Sequence, residues 1–185
     1  MKKPQSSAGV GQRTPVVHPF EPLFGPDSRI LILGSFPSVK SRERQFYYGH
    51  PQNRFWRVLA ALYACGVPET TAEKKRLILS HGLALWDTIG SCTITGSSDA
   101  SIRDVRPNDL RRVLDACPIG RICCNGQTSF RLYERYILPA IGREAVCLPS
   151  TSPANARWTL EQLTQAWSVL LDPSPRACGN GEKEV

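Results

Sequence analysis

The strongest constraint in this sequence is the alternation of short apolar runs with segments of helical period. Ile30-Leu31-Ile32-Leu33 closes on Gly34, Leu83-Ala84-Leu85-Trp86 on Asp87, Ile122-Cys123-Cys124 on Asn125-Gly126, and Val146-Cys147-Leu148 on Pro149. Each run has the length of a buried strand and ends at a residue that breaks regular structure, so strands are expected over 29–34, 83–86, 121–124 and 145–148. Between them, Phe55, Trp56, Leu59, Leu62 and Tyr63 recur at helical spacing over 53–64, with Asn53 suited to the N-cap. Further helices read over 69–80, over 107–116 with Pro107 in the first turn, over 127–138, and over 158–171 with Leu160, Leu163, Trp167 and Leu170 on one face. Strands that alternate with helices imply an α/β chain built on a mostly parallel sheet covered on both faces.

A chain of 185 residues can bury a substantial core in one domain. Segments 1–15 and 173–185 carry Pro, Gly and charge with little apolar pattern, so they read as flexible tails around a domain at 16–172. No run approaches the ~20 apolar residues that span a bilayer. The polar start lacks the apolar stretch of a secretory signal, so an intracellular, cytoplasmic protein with no membrane partner is expected. The seven cysteines are odd in number and contain no C-x-x-C pair, which argues against a disulfide framework and against a clustered metal site. Cys123 and Cys124 read as small buried strand residues. The formal charge of +7 favours a polyanionic partner.

In parallel sheets the chemistry gathers beyond the carboxyl ends of the strands. That rule singles out 34–50, 87–92, 125–127 and 149–155. The first loop, Gly34-Ser35-Phe36-Pro37-Ser38, has neither the glycine spacing of a dinucleotide loop nor the G-K-[ST] ending of a phosphate loop. It runs on through Arg42, Arg44, Phe46, Tyr47, Tyr48 and His50. Basic residues among aromatics suit phosphate contact with base stacking, and equally a core aromatic cluster under a solvated basic loop. The serines of the last loop lack the G-x-S-x-G elbow of a serine hydrolase.

The segment Leu31-Ile32-Leu33-Gly34-Ser35-Phe36-Pro37-Ser38, followed by Gln45-Phe46-Tyr47-Tyr48-Gly49-His50-Pro51-Gln52-Asn53-Arg54-Phe55-Trp56, resembles the first motif of hypoxanthine-DNA (deoxyinosine) glycosylases. These form a branch of the uracil-DNA glycosylase superfamily. Leu148-Pro149-Ser150-Thr151-Ser152-Pro153-Ala154-Asn155 resembles the second superfamily motif, a loop that enters the DNA minor groove. The resemblance spans residues 30–171. It implies a three-layer α/β/α sandwich with a short central sheet. It also implies a monomer without cofactor that acts on DNA containing deaminated bases by flipping the base and hydrolysing its N-glycosidic bond.

Residue by residue, the resemblance makes Asn53 the catalytic, water-positioning amide, since the first loop has neither the Asp nor the Asn that many superfamily members carry there. The second motif has Leu148 where the best-known uracil enzymes have a histidine, which speaks against their mechanism. Asn125, at a strand end, is a second catalytic candidate as a donor to base or water, or else a cap for the next helix. Tyr48 is the candidate for stacking on the flipped base, with Phe36 beside it. Asp87 can accept from N1–H of hypoxanthine or cap a turn, and His50 reads as a structural hydrogen-bonding residue. Ser38, Ser150, Thr151, Ser152, Asn155 and Arg157 are candidates for DNA backbone contact, and Pro153 and Ala154 for the wedge that fills the gap left by the base. A uracil- or mismatch-specific glycosylase and a non-catalytic lesion-binding module remain the alternatives at this stage.

Overall fold

A computed structural model describes residues 14–94 and 102–172. Of the tails expected at 1–15 and 173–185, residues 1–13 and 173–185 lie outside the described residues. Thr14 and Pro15, expected in the first tail, belong instead to a strand.

The strands are β1 (Thr14–Val17), β2 (Ile30–Gly34), β3 (Leu83–Asp87), β4 (Ile89–Ile94), β5 (Arg103–Pro107), β6 (Arg121–Asn125) and β7 (Val146–Leu148). The helices are α1 (Val39–Glu43), α2 (Phe55–Leu62), α3 (Thr71–Ser80), α4 (Arg111–Leu114), α5 (Gln127–Tyr136), α6 (Leu138–Ile141) and α7 (Leu160–Trp167), the last continued by a 3-10 turn over Ser168–Leu171. The central sheet has the order β3-β2-β6-β7, and each neighbouring pair is parallel. Every residue of β2 and β3 is buried. Because successive side chains point to opposite faces, such strands require cover on both sides. This is the three-layer α/β/α sandwich expected from the sequence.

Local chemistry sets the helix starts. Thr70 and Glu73 form a reciprocal capping box on α3, and Thr159 and Gln162 form one on α7. The buried side of α2 presents Phe55, Trp56, Val58 and Leu59 to a core that also holds Trp167 and Leu163 of α7.

Two expectations fail and one sheet goes unforeseen, each for an identifiable reason. First, 107–116 is not one helix. Pro107 ends β5, where it pairs with Ile89, and α4 begins only at Arg111. A proline without an N–H is tolerated at the end of an edge strand as well as in a first helical turn, so the residue alone does not decide. Second, β1, β4 and β5 form a separate antiparallel sheet, in the order β1-β4-β5, that the apolar pattern did not reveal. The side chains of β5 are largely exposed, so it has no continuous apolar run to read. Third, Arg54 rather than Asn53 takes the cap position of α2, although Asn53 Oδ1 still accepts the Phe55 N–H at 2.9 Å. Among the described residues no helix is long and apolar enough to cross a membrane.

Candidate active site

The carboxyl ends of β2, β3, β6 and β7 open into one cleft of about 960 Å³. Its floor begins at Gly34. The Gly34 carbonyl accepts from the Thr88 N–H at 2.8 Å and from the Thr88 hydroxyl at 2.8 Å, which fixes the turn out of β2. A Cβ on Gly34 would lie 2.2 Å from Asp87 Oδ1, so only glycine leaves room for that carboxylate. Asp87 is buried, and its Oδ2 lies 2.7 Å from His18 Nε2.

Asn53, Thr151 and Asn125 come from three different loops and form one hydrogen-bonded chain. The Thr151 hydroxyl donates to Asn53 Oδ1 at 2.9 Å and accepts from Asn125 Nδ2 at 2.9 Å. Thr151 N–H donates to Asn125 Oδ1 at 3.0 Å. The direction is forced: the Phe55 N–H can only donate, so the Asn53 atom facing it is the oxygen. Asn53 Oδ1 therefore holds two donors, and Nδ2 is the part of this amide that forms no hydrogen bond among the described residues. Asn125 Nδ2 donates to Thr151, and the same amide lies beside the Tyr48 hydroxyl.

Tyr48 lines the cleft, half-buried, at a backbone φ of 50°. One face of its ring stacks on Phe55 at 3.7 Å. Its hydroxyl is buried beside the Asn125 amide, short of full hydrogen-bond geometry. Burial first, and then the Asp87 carboxylate, push its pKa well above the usual phenol range. Phe36 lines the same cleft but is mostly buried, packed with Ile89, Cys92 and Ile102. Tyr47 and Phe46 are core residues, and Tyr47 donates its hydroxyl to Glu21 O at 2.8 Å. His50 accepts from the Gln52 N–H at 3.2 Å, a structural bond of its own loop.

The last loop stands across the cleft. Ser150, Ser152, Ala154, Asn155 and Arg157 line it, whereas Pro153 is exposed and does not. The Ser150 and Ser152 hydroxyls accept N–H groups of their own loop at 3.2 and 3.3 Å, which leaves each hydroxyl hydrogen free to donate outward. Asn155 ties the loop together through Nδ2 to Ser150 O at 2.9 Å. Thr151 departs from the expected phosphate contact. It is fully buried, and its hydroxyl and N–H are both spent on Asn53 and Asn125, so it links the two amides. Ser38 caps α1 at the rim, accepting the Ser41 N–H at 3.2 Å.

Two residues of this site were not singled out from the sequence. Arg54 donates to the carbonyls of Ser152 and Asn155, each at 2.9 Å, and to that of Trp158, so it clamps the whole last loop. It directly follows Asn53 in the first motif, and that position was the available signal. His18 had none, since 69 residues separate it from Asp87.

A parallel α/β sheet thus gathers polar amides, an aromatic ring and a serine-rich loop into one cleft. The comparisons place it further: the family model described as the Uracil DNA glycosylase superfamily matches residues 21–171, and the chain belongs to that superfamily. A hypoxanthine DNA glycosylase of Methanosarcina acetivorans is 37% identical over 154 residues, covering 82% of this chain and 96% of the relative. One from Methanosarcina barkeri is 32% identical over 151 residues, covering 80% and 94%. A solution NMR structure of a Methanosarcina acetivorans protein, assigned as a uracil DNA glycosylase, superposes with a TM-score of 0.69 at 30% identity, over 83% of this chain and 97% of that one.

Proposed function

We propose that this protein is a DNA repair glycosylase that flips a deaminated base, hypoxanthine by preference, out of DNA and hydrolyses its N-glycosidic bond to leave an abasic site. The observation that carries the reading is the Asn53–Thr151–Asn125 chain beside Tyr48 and Asp87 in one cleft. Extracting a base from the stack costs a few kcal/mol. A stacking ring such as Tyr48 can return roughly 1–3 kcal/mol of that. Asp87 Oδ1 accepts N1–H of the flipped hypoxanthine. Asn53 Nδ2 holds the attacking water, and the Asn125 amide stabilises charge as the base departs. An amide orients water but is a weak base, so the reading implies modest rates.

On the DNA side, Ser150 and Ser152 offer their outward hydroxyls to phosphates, with Ser38 and Arg157 at the rim. Pro153 and Ala154, both exposed at the tip of the loop, supply the apolar wedge. The cleft is complete within one chain, which supports action as a monomer, and DNA as the substrate supports an intracellular location.

Single-turnover release on duplexes holding inosine, uracil or xanthine tests the proposal. Hypoxanthine should be released fastest. Binding to all three duplexes with no release from any would reduce the protein to a lesion-binding module.

The Tyr48 role makes a separate prediction. Tyr48→Ala should slow base release much more than it weakens DNA binding. Tyr48→Phe should keep most activity, because the face of the ring rather than its hydroxyl does the stacking. Equal, severe losses of release in both variants would rule out stacking as its contribution.

A further inference from the structure

The His18–Asp87 pair lies at the back of the cleft. The two side chains are only 4% and 6% exposed. The His18 ring is boxed by Phe20, at a centroid distance of 4.6 Å, by Phe36 at 6.0 Å and by Tyr47 at 6.4 Å. Its Nδ1 lies 2.8 Å from the Phe20 carbonyl oxygen and its Nε2 lies 2.7 Å from Asp87 Oδ2. A carbonyl oxygen only accepts, so Nδ1 carries a proton. The remaining proton of the pair then lies between Nε2 and Oδ2. Either the ring holds it and Asp87 is a carboxylate, or Oδ2 holds it and donates to the bare Nε2. In both arrangements Oδ1, which forms no hydrogen bond among the described residues, is an acceptor and nothing else.

This matters because deamination changes one ring atom in kind. N1 of adenine is an acceptor, while N1 of hypoxanthine carries a hydrogen and donates. We propose that His18 is a specificity-determining positioning residue: by holding the shared proton on the Oδ2 side, it keeps Asp87 Oδ1 an obligate acceptor that takes hypoxanthine and rejects adenine. The inference rests on the glycosylase reading and on Asp87 as the base contact. Without His18, Oδ2 loses the group that faces it at 2.7 Å, and nothing any longer holds an acid proton of this carboxyl group on the Oδ2 side. The acid O–H is then free to turn into the cleft and donate to an N1 acceptor, so the filter fails.

The test compares single-turnover release from duplexes containing deoxyinosine with release from duplexes containing deoxynebularine, whose purine base has an acceptor N1 and no 6-oxo group. In His18→Phe, which keeps a ring of similar size and removes both hydrogen bonds, the inosine-to-nebularine ratio should fall at least tenfold. His18→Gln, whose amide can donate to Oδ2, should restore the ratio to within about threefold of wild type, a rescue that a space-filling role does not predict. An unchanged ratio in an active His18→Phe protein overturns the inference and leaves the glycosylase reading standing. Absence of release by the wild type on inosine overturns both. Nitrogen-15 NMR of the wild-type histidines gives a check that needs no variant: Nδ1 of His18 must be protonated, and an unprotonated Nδ1 overturns the inference even if His18→Phe does not fold.

Discussion

Arg54→Ala is expected to fold less stably and to release base from paired duplex about thirty- to a hundredfold more slowly, roughly 2–3 kcal/mol in the barrier. The guanidinium donates to three carbonyls of the last loop, those of Ser152, Asn155 and Trp158, and Arg54 N–H donates to Thr151 O at 3.0 Å. Bonds from a charged donor are worth roughly twice neutral ones. Removing the side chain leaves three carbonyls short of a donor and unfastens the loop from Ser150 through Arg157 that is proposed to meet DNA. Arg54→Lys should be almost as damaging, because an ammonium cannot reproduce the planar fork that reaches separate carbonyls. Hydrogen exchange over 150–158 reads the loop directly and should quicken in both variants. Near-normal release by Arg54→Lys would show that charge alone suffices and would remove the clamp.

Asn53→Ser is expected to remain folded and to bind DNA, while base release falls at least about tenfold, or ~1.4 kcal/mol in the barrier. The structure sharpens what this residue does. Its Oδ1 accepts from the Phe55 N–H and the Thr151 hydroxyl, each at 2.9 Å. That oxygen is therefore occupied, and only Nδ2 is free to hold water. Serine can keep one local bond to the helix start but cannot also reach the water, so stability and catalysis separate. Asn53→Asp presents the same two bonds to one carboxylate oxygen and leaves the other facing the water as a better base than an amide. It should keep release or raise it. Unimpaired release by Asn53→Ser would reduce Asn53 to a brace for the start of α2.

How much of this was legible follows from which interactions are local. β2, β3 and β6 show in the sequence because burial on both faces demands uninterrupted apolar residues, as in Leu31-Ile32-Leu33. The helices α2 and α7 show because an apolar stripe recurs along each at helical spacing. The cleft itself was foreseeable, since parallel strands bring their carboxyl ends to one side and so gather Gly34, Asp87, Asn125 and Pro149. Motif resemblance added Asn53 and Tyr48, and the cleft holds both.

Other features depend on partners distant in the chain. The antiparallel sheet of β1, β4 and β5 is held by backbone pairing at an exposed edge, where side-chain hydropathy carries little information. Pro107 suits two settings, and only the pairing with Ile89 decides between them. Thr151 reads as one more hydroxyl in a serine-rich loop until folding buries it between Asn53 and Asn125. His18 stands beside a segment read as a tail, yet it meets Asp87 across the fold at 2.7 Å. The layers, the strand ends and the residue types available for chemistry are legible along the chain because burial patterns repeat over a few neighbours. Tertiary structure decided which of those groups are already bonded and which remain free for substrate, because a hydrogen bond is set by the distance and direction of an atom that lies elsewhere in the chain.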